Sequence, residues 1–229
     1  GLRMLGTVSE AREIVADKQD ITIDLDALPF DDDRVYDMIC EGDVLGLFQI
    51  ESPAQMSTGA RIQARTMQDL IKQISLVRPG PIQGGLIHPF IRRHKGLEPV
   101  RYDHPILKEI LEDTYGVIVF QEQVLEVAHR FAGWSLDEAD SFRRLMSRFR
   151  DATEMESMRD GFVESAMKHG ASRKVANRVF DQVSKFVGYG FCRSHAASFA
   201  LTVYHSAYLK AYHPAAFFAG LMQHRPGMY

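Results

Sequence analysis

Residues 188–200 read GYGFCRSHAASFA. Two glycines, an arginine, a serine and a histidine stand just ahead of an Ala-rich segment with helical character. Three readings compete: a phosphate-binding loop, a catalytic Cys–His pair, or a turn before a buried helix. A phosphate loop of the P-loop type would announce an α/β fold, but GxxxxGK[ST] is absent. The dinucleotide fingerprint fails as well, because Arg193 stands where a third glycine is needed. Cys192 and His195 form a lone CxxH with no second pair for zinc, and no metal site is expected. As a nucleophile pair they lack an evident orienting acid or oxyanion hole upstream. What remains is a glycine-bearing turn with Ser194 as cap of the next helix. A capped helix start is also an anion site, with Arg193 and His195 beside it and Lys185 one short loop away. On pattern alone, anion site and plain interhelical turn are evenly matched.

Working outward, the chain reads as mainly α. Helices are expected near 8–17, from Asp31–Asp33 to about Cys40, at 67–77, 105–113, 121–131, 136–150, 154–168, 172–186 and 195–212. Ser135-Leu136-Asp137-Glu138 is a capping box, and Thr153-Glu154-Met155-Glu156 repeats the pattern. Gly170 is a natural helix terminator. Pro79-Gly80-Pro81 stops the helix at 67–77, and Gly80 to Asp103 reads as an ordered loop. Gly42 to Phe48 reads as a turn and then an apolar segment of helical type. Pro214 should end the helix carrying Tyr204, Tyr208 and Tyr212, whose spacing of four suits core packing. ITIDLDAL (21–28) alternates, as a short strand or an extended linker would.

The second cationic feature is SFRRLMSRFR, residues 141–150. Phe142, Leu145, Met146 and Phe149 predict one buried stripe. Arg144 and Arg148 flank it on one side, Arg143 and Arg150 on the other. A guanidinium row beside an apolar seam suits phosphate. The plainer reading is a solvated face paired with Asp137, Glu138 and Asp140.

Composition bounds the rest. The 229 residues carry a net charge of −3, so an anionic partner must be met by a local patch. Two cysteines make no disulfide framework and suit a reducing, cytoplasmic setting. No apolar run approaches the ~20 residues of a membrane-spanning helix, and no membrane partner is expected.

The blocks GLFQIES (46–52), LVRPGPIQGG (76–85), VFQEQV (119–124), ADSFRRLMSR (139–148), VGYGFCRSHAASFAL (187–201) and YLKAYHPAAFFAGLM (208–222) occur in that order. The set resembles the catalytic α subunit of bacterial DNA polymerase III, the C-family polymerases, over nearly the whole chain. FQIESPAQM, RPGPIQGG and SHAASFA look closer to the accessory, error-prone type than to the main replicative one. The resemblance implies a multi-helix fingers domain at 31–229, with 1–30 as palm edge and linker. It implies that the palm aspartates, with the Mg2+ they bind, lie upstream of Gly1, leaving no catalytic residue in this chain. Asp24 and Asp26 read as surface acids. By block match Arg143, Arg144 and Arg193 contact the triphosphate of an incoming dNTP, Ser194 and His195 support them, and Arg78 lies near the nucleotide or template junction. Arg148 keeps charge where replicative members carry lysines, and Arg193 keeps it where they carry Asn-Lys; these departures leave the roles of Ser147, Phe149 and Cys192 open. Implied partners are dNTP, primer–template DNA, the remainder of the polymerase chain and, through regions outside this chain, a sliding clamp and other replisome or mutasome subunits, in replication or DNA repair. The competing readings are a helical protein-interaction module and a small Cys–His hydrolase.

Circular dichroism of the chain should show mainly helix; a strand-dominated spectrum would contradict this. Purified alone, the chain should not extend a primer; metal-dependent extension would contradict the expected position of the palm aspartates.

Overall fold

The computed structural model describes residues 2–77, 87–148, 156–186 and 191–224. The α-helices are α1 Leu2–Gln19, α2 Asp33–Cys40, α3 Pro53–Ile62, α4 Met67–Leu76, α5 Ile87–His94, α6 Pro105–Leu111, α7 Gln121–Glu126, α8 Leu136–Arg148, α9 Arg159–Lys168, α10 Arg173–Ser184, α11 Arg193–Tyr212 and α12 Pro214–His224. A 3-10 turn spans Glu112–Thr114 and a π turn Val127–Phe131. Among the described residues the β-structure is confined to an isolated parallel bridge between Phe120 and Phe191. The chain is mainly α, as its sequence predicts.

The chain forms two compact units, Gly1–Ile74 with Ser194–Tyr229, and Ser75–Arg193. In the first, α1 places Met4, Val8, Ala11 and Val15 in the core at helical spacing. α12 lies against α1 at close range through Gly220: a Cβ there would stand 2.7 Å from the Thr7 carbonyl oxygen and 3.3 Å from the Ala11 nitrogen. The stretch 1–30 is thus tied to the C-terminal helix of its own unit. Ile21–Leu28 is not a strand; it runs as irregular chain with Ile23 and Leu25 buried, and Arg12 Nε donates to the Ile23 carbonyl at 3.0 Å. Of the tyrosine stripe expected in the core, Tyr204 is fully buried, Tyr208 is half-buried and Tyr212 is 37% exposed. The Tyr204 hydroxyl donates to the Pro29 carbonyl at 2.6 Å and accepts from the Asp32 N–H at 3.3 Å. Lys210, 5% exposed, donates to the Asp43 carboxylate at 2.7 Å and to the Asp43 and Leu45 carbonyls at 2.9 and 3.0 Å. A buried ammonium needs such saturation to offset its lost hydration.

Two expectations change here, and a third gains a second role. Gly42–Phe48 holds turns, and the helix comes later, at α3, where Ser52 Oγ accepts from the Gln55 N–H and Pro53 takes the first position. Within the predicted loop 80–103, α5 forms, with Pro89 in its first turn. Pro214 does follow the end of α11, but it also opens α12 from the first helical position, where its missing N–H costs nothing.

In the second unit the core is aromatic. Phe162 lies 6.1 Å from Phe131, 6.1 Å from Phe142 and 5.4 Å from Phe180, ring centre to ring centre. Leu107, Ile110, Val124, Val127, Val163 and Val183 pack around these rings. The capping box forms: the Glu138 N–H donates to Ser135 Oγ at 3.3 Å and the Ser135 N–H to the Glu138 carboxylate at 2.9 Å. The hydroxyl's hydrogen bond holds the Glu138 carboxyl below its ordinary range. Gly170 has φ +93 and closes α9, as expected of a left-handed terminator. The second capping box, at 153–156, begins outside the described residues, and the helix that it was to start opens at Arg159. The predicted helix 121–131 divides into α7 and the π turn.

Gly220→Ala separates two effects of opposite sign. Helix propensity alone would favour alanine by up to about 1 kcal/mol. The clash is with α1 backbone, which cannot swing aside, so we expect a net loss of about 1–3 kcal/mol in urea unfolding. A stabilised variant would contradict the close helix contact.

Candidate nucleotide-binding site

Two arginines of the second unit, Arg143 and Arg193, have partners at the start of α7. The residues ahead of α7, Val117 to Phe120, are buried, and Phe120 is bridged to Phe191, whose carbonyl accepts from the Gln121 N–H at 2.9 Å. That bridge brings the end of the GYGFCR stretch beside VFQEQV.

Arg193 is the last residue of the unit and the first of α11. Its guanidinium lies 4.2 Å from the centre of the Phe120 ring, and Nη2 donates to Asp113 Oδ2 at 2.6 Å. Its main-chain N–H faces both carboxylate oxygens of Glu122, at 3.0 and 3.2 Å. The expectation of Ser194 as helix cap is therefore corrected. Arg193 and Ser194 are both helical, and a carboxylate from a distant segment meets the first N–H, where a helix dipole favours negative charge.

On α8, Arg143 points its fork at two partners. Nε and Nη2 donate to Asp140 Oδ1 at 2.9 and 2.7 Å, and Nη1 donates to Gln121 Oε1 at 2.9 Å. Arg144 pairs with the other Asp140 oxygen at 2.7 Å while its side chain stays 61% exposed. The hydrogen bond from Arg143 holds the Asp140 carboxyl below the usual carboxylate range. Asp140 thus serves two of these arginines, as the plainer reading of a face paired with its own acids expects, and Asp113 and Glu122 meet the third, which no sequence pattern suggested. Of the expected buried stripe, Phe142 is buried, whereas Leu145 is 37% exposed. The side chains of Met146 and Arg148, and all of Phe149, Arg150 and Arg78, fall outside the described residues.

Lys185 is exposed at the C-terminal cap of α10. Ser194 and His195 belong to the first unit, both exposed, and the His195 ring lies 4.1 Å from that of Phe199. Cys192 is half-buried. Among the described residues, no group of three or more His, Cys, Asp and Glu side chains is placed to hold a metal ion, and no helix is long and apolar enough to cross a membrane.

Sequence reasoning missed Asp113, Phe120, Gln121 and Glu122. Three of these belong to VFQEQV, noted only as a resemblance block, and no local pattern marks Asp113.

Comparison with known proteins gives the family of the chain. Residues 4–170 match the family model described as bacterial DNA polymerase III alpha subunit finger domain. A protein named Error-prone DNA polymerase from Corynebacterium efficiens is 44% identical over 227 residues, covering 99% of this chain and 21% of that protein. One of the same name from Mycobacterium tuberculosis is 42% identical over 227 residues, with the same coverage of each. Another, from Teredinibacter turnerae, is 44% identical over 199 residues, 87% of this chain and 19% of that protein. The chain spans about a fifth of the length of these relatives. With a family model matched over most of its residues, the chain belongs to the bacterial DNA polymerase III alpha subunit finger domain family.

Proposed function

We propose that the chain is the fingers portion of a DNA-directed DNA polymerase of the error-prone type, and that Arg143, Arg144 and Arg193 bind the triphosphate of the incoming deoxynucleotide beside a primer–template. One observation carries the reading: Arg143 and Arg193, fifty residues apart in sequence, are both held by the single turn Phe120–Glu122. A turn that aims two guanidiniums has prepaid part of the ordering cost of binding a multivalent anion. The ion pairs already present do not oppose this strongly. Exposed pairs are worth about 0–1 kcal/mol each, whereas a charge-assisted contact to phosphate brings about 1.5–3 kcal/mol.

In the whole polymerase, nucleotidyl transfer uses divalent metal ions that activate the primer hydroxyl and stabilise the leaving pyrophosphate. We place their carboxylate ligands in the remainder of the polymerase chain, outside these 229 residues. The part left to the fingers is to orient and neutralise the triphosphate, so that its charge does not oppose attack. Ser194 and His195 continue the chain from Arg193 and stay within the proposal as its helical support, as do Arg78, Arg148 and Lys185 as further cations. Clamp and mutasome contacts are assigned to regions beyond this chain, in a cytoplasmic replication or repair setting.

In the full-length polymerase, Arg144→Ala and Arg193→Ala should each raise the nucleotide KM about ten- to a hundredfold in single-nucleotide incorporation, with the fold intact by circular dichroism. Cys192→Ser should change it little. Silent arginine variants with an inactive Cys192→Ser would contradict the proposal and favour thiol chemistry.

A further inference from the structure

Gln123 lies in the first turn of α7, next in sequence to the residues that hold the arginines. It is 3% exposed, and its amide is fully engaged. Oε1 accepts from the Val119 and Phe120 N–H groups at 2.9 and 3.1 Å. Nε2 donates to Thr114 Oγ1 at 2.8 Å and to the Ile110 carbonyl at 3.3 Å, with Asp113 Oδ1 at 3.4 Å. One amide thus joins two pieces of backbone: the 110–114 segment that carries Asp113, and the 119–120 segment that leads into Phe120, Gln121 and Glu122.

Arg193 is held from both pieces, by Asp113 from one and by Phe120 and Glu122 from the other. Arg143 is held from the second by Gln121. The separation of the two pieces therefore fixes where the Arg193 guanidinium stands. A buried amide with four satisfied hydrogen-bonding valences has essentially one orientation, because any rotation strands polar groups away from water. Apolar packing alone would not define that separation so narrowly, since it is non-directional.

From this we infer that Gln123 is a positioning residue for nucleotide binding: it sets the Asp113-to-Phe120 spacing and through it the Arg193 guanidinium, an inference that rests on the nucleotide-binding reading given above. Gln123→Met keeps length and volume and deletes all of the hydrogen bonds. Single-nucleotide incorporation by the full-length polymerase separates positioning from general damage, because KM and kcat respond differently. The expected result is a nucleotide KM raised about tenfold or more, with kcat at saturating nucleotide within about twofold of the parent. In an Arg193→Ala background the same substitution should add nothing, because the residue it positions is gone. A KM unchanged by Gln123→Met, or effects that multiply in the double variant, would overturn the inference. Should Gln123→Met fail to fold, Thr114→Val decides the matter. It removes the hydroxyl that accepts from Nε2 and donates to the Leu111 carbonyl at 3.3 Å, and it should raise KM about threefold or more; an unchanged KM there counts against the inference. If Arg193→Ala itself left KM unchanged, the nucleotide-binding reading would fall; a large Arg193→Ala effect with a silent, folded Gln123→Met defeats the positioning role alone.

Discussion

A carboxamide inside an apolar core can stay there only if every donor and acceptor it carries is met. Gln123 meets that condition by binding two chain segments at once, 110–114 and 119–120. On the proposed reading, the order of the candidate site in the second unit follows from it. With those segments held together, Phe120 bridges Phe191, the Arg193 guanidinium settles on the Phe120 ring, and Gln121 and Glu122 face outward to the two arginine sites. The aromatic core around Phe162 supplies the bulk of the burial, but it does not aim side chains. The polar contacts do that, because they are directional.

The arginines differ in how tightly they are held. Arg143 and Arg193 each have two or more partners and side-chain exposures of 27% and 38%, whereas Arg144 has a one-sided pair with Asp140 and is 61% exposed. Two fixed guanidiniums and a freer one are the arrangement that the proposed binding of a triphosphate asks for. Tight pairing throughout would oppose entry, and three loose side chains would each lose rotamer freedom on binding.

Much of the fold was legible where the signal was local. The Ser135–Glu138 capping box and the Gly170 terminator act within a few residues, and both form as read. Proline misled in one stretch, 80–103, where Pro89 sits in the first turn of α5; Pro214 ends α11 as read and opens α12 as well. The cations of the site were legible by their density, and their partners were not. Gln121 lies 22 residues from Arg143, Glu122 lies 71 and Asp113 lies 80 from Arg193, and no periodicity links such positions. The resemblance blocks marked VFQEQV as belonging with the arginines but gave it no role; only the bridge to Phe191 does.

If Arg143, Arg144 and Arg193 meet a triphosphate, bound nucleotide must shield Arg144, the most exposed of the three at 61%. Arginine-specific modification by phenylglyoxal, read by mass spectrometry on the full-length polymerase, addresses it directly. The primer–template complex serves as reference, and Arg130, paired with Glu109 on the same unit, as internal control. Adding the complementary dNTP should slow modification of Arg144 about tenfold or more while Arg130 reacts as before. Equal reactivity of Arg144 with and without nucleotide, under conditions where the nucleotide is bound, would contradict the account.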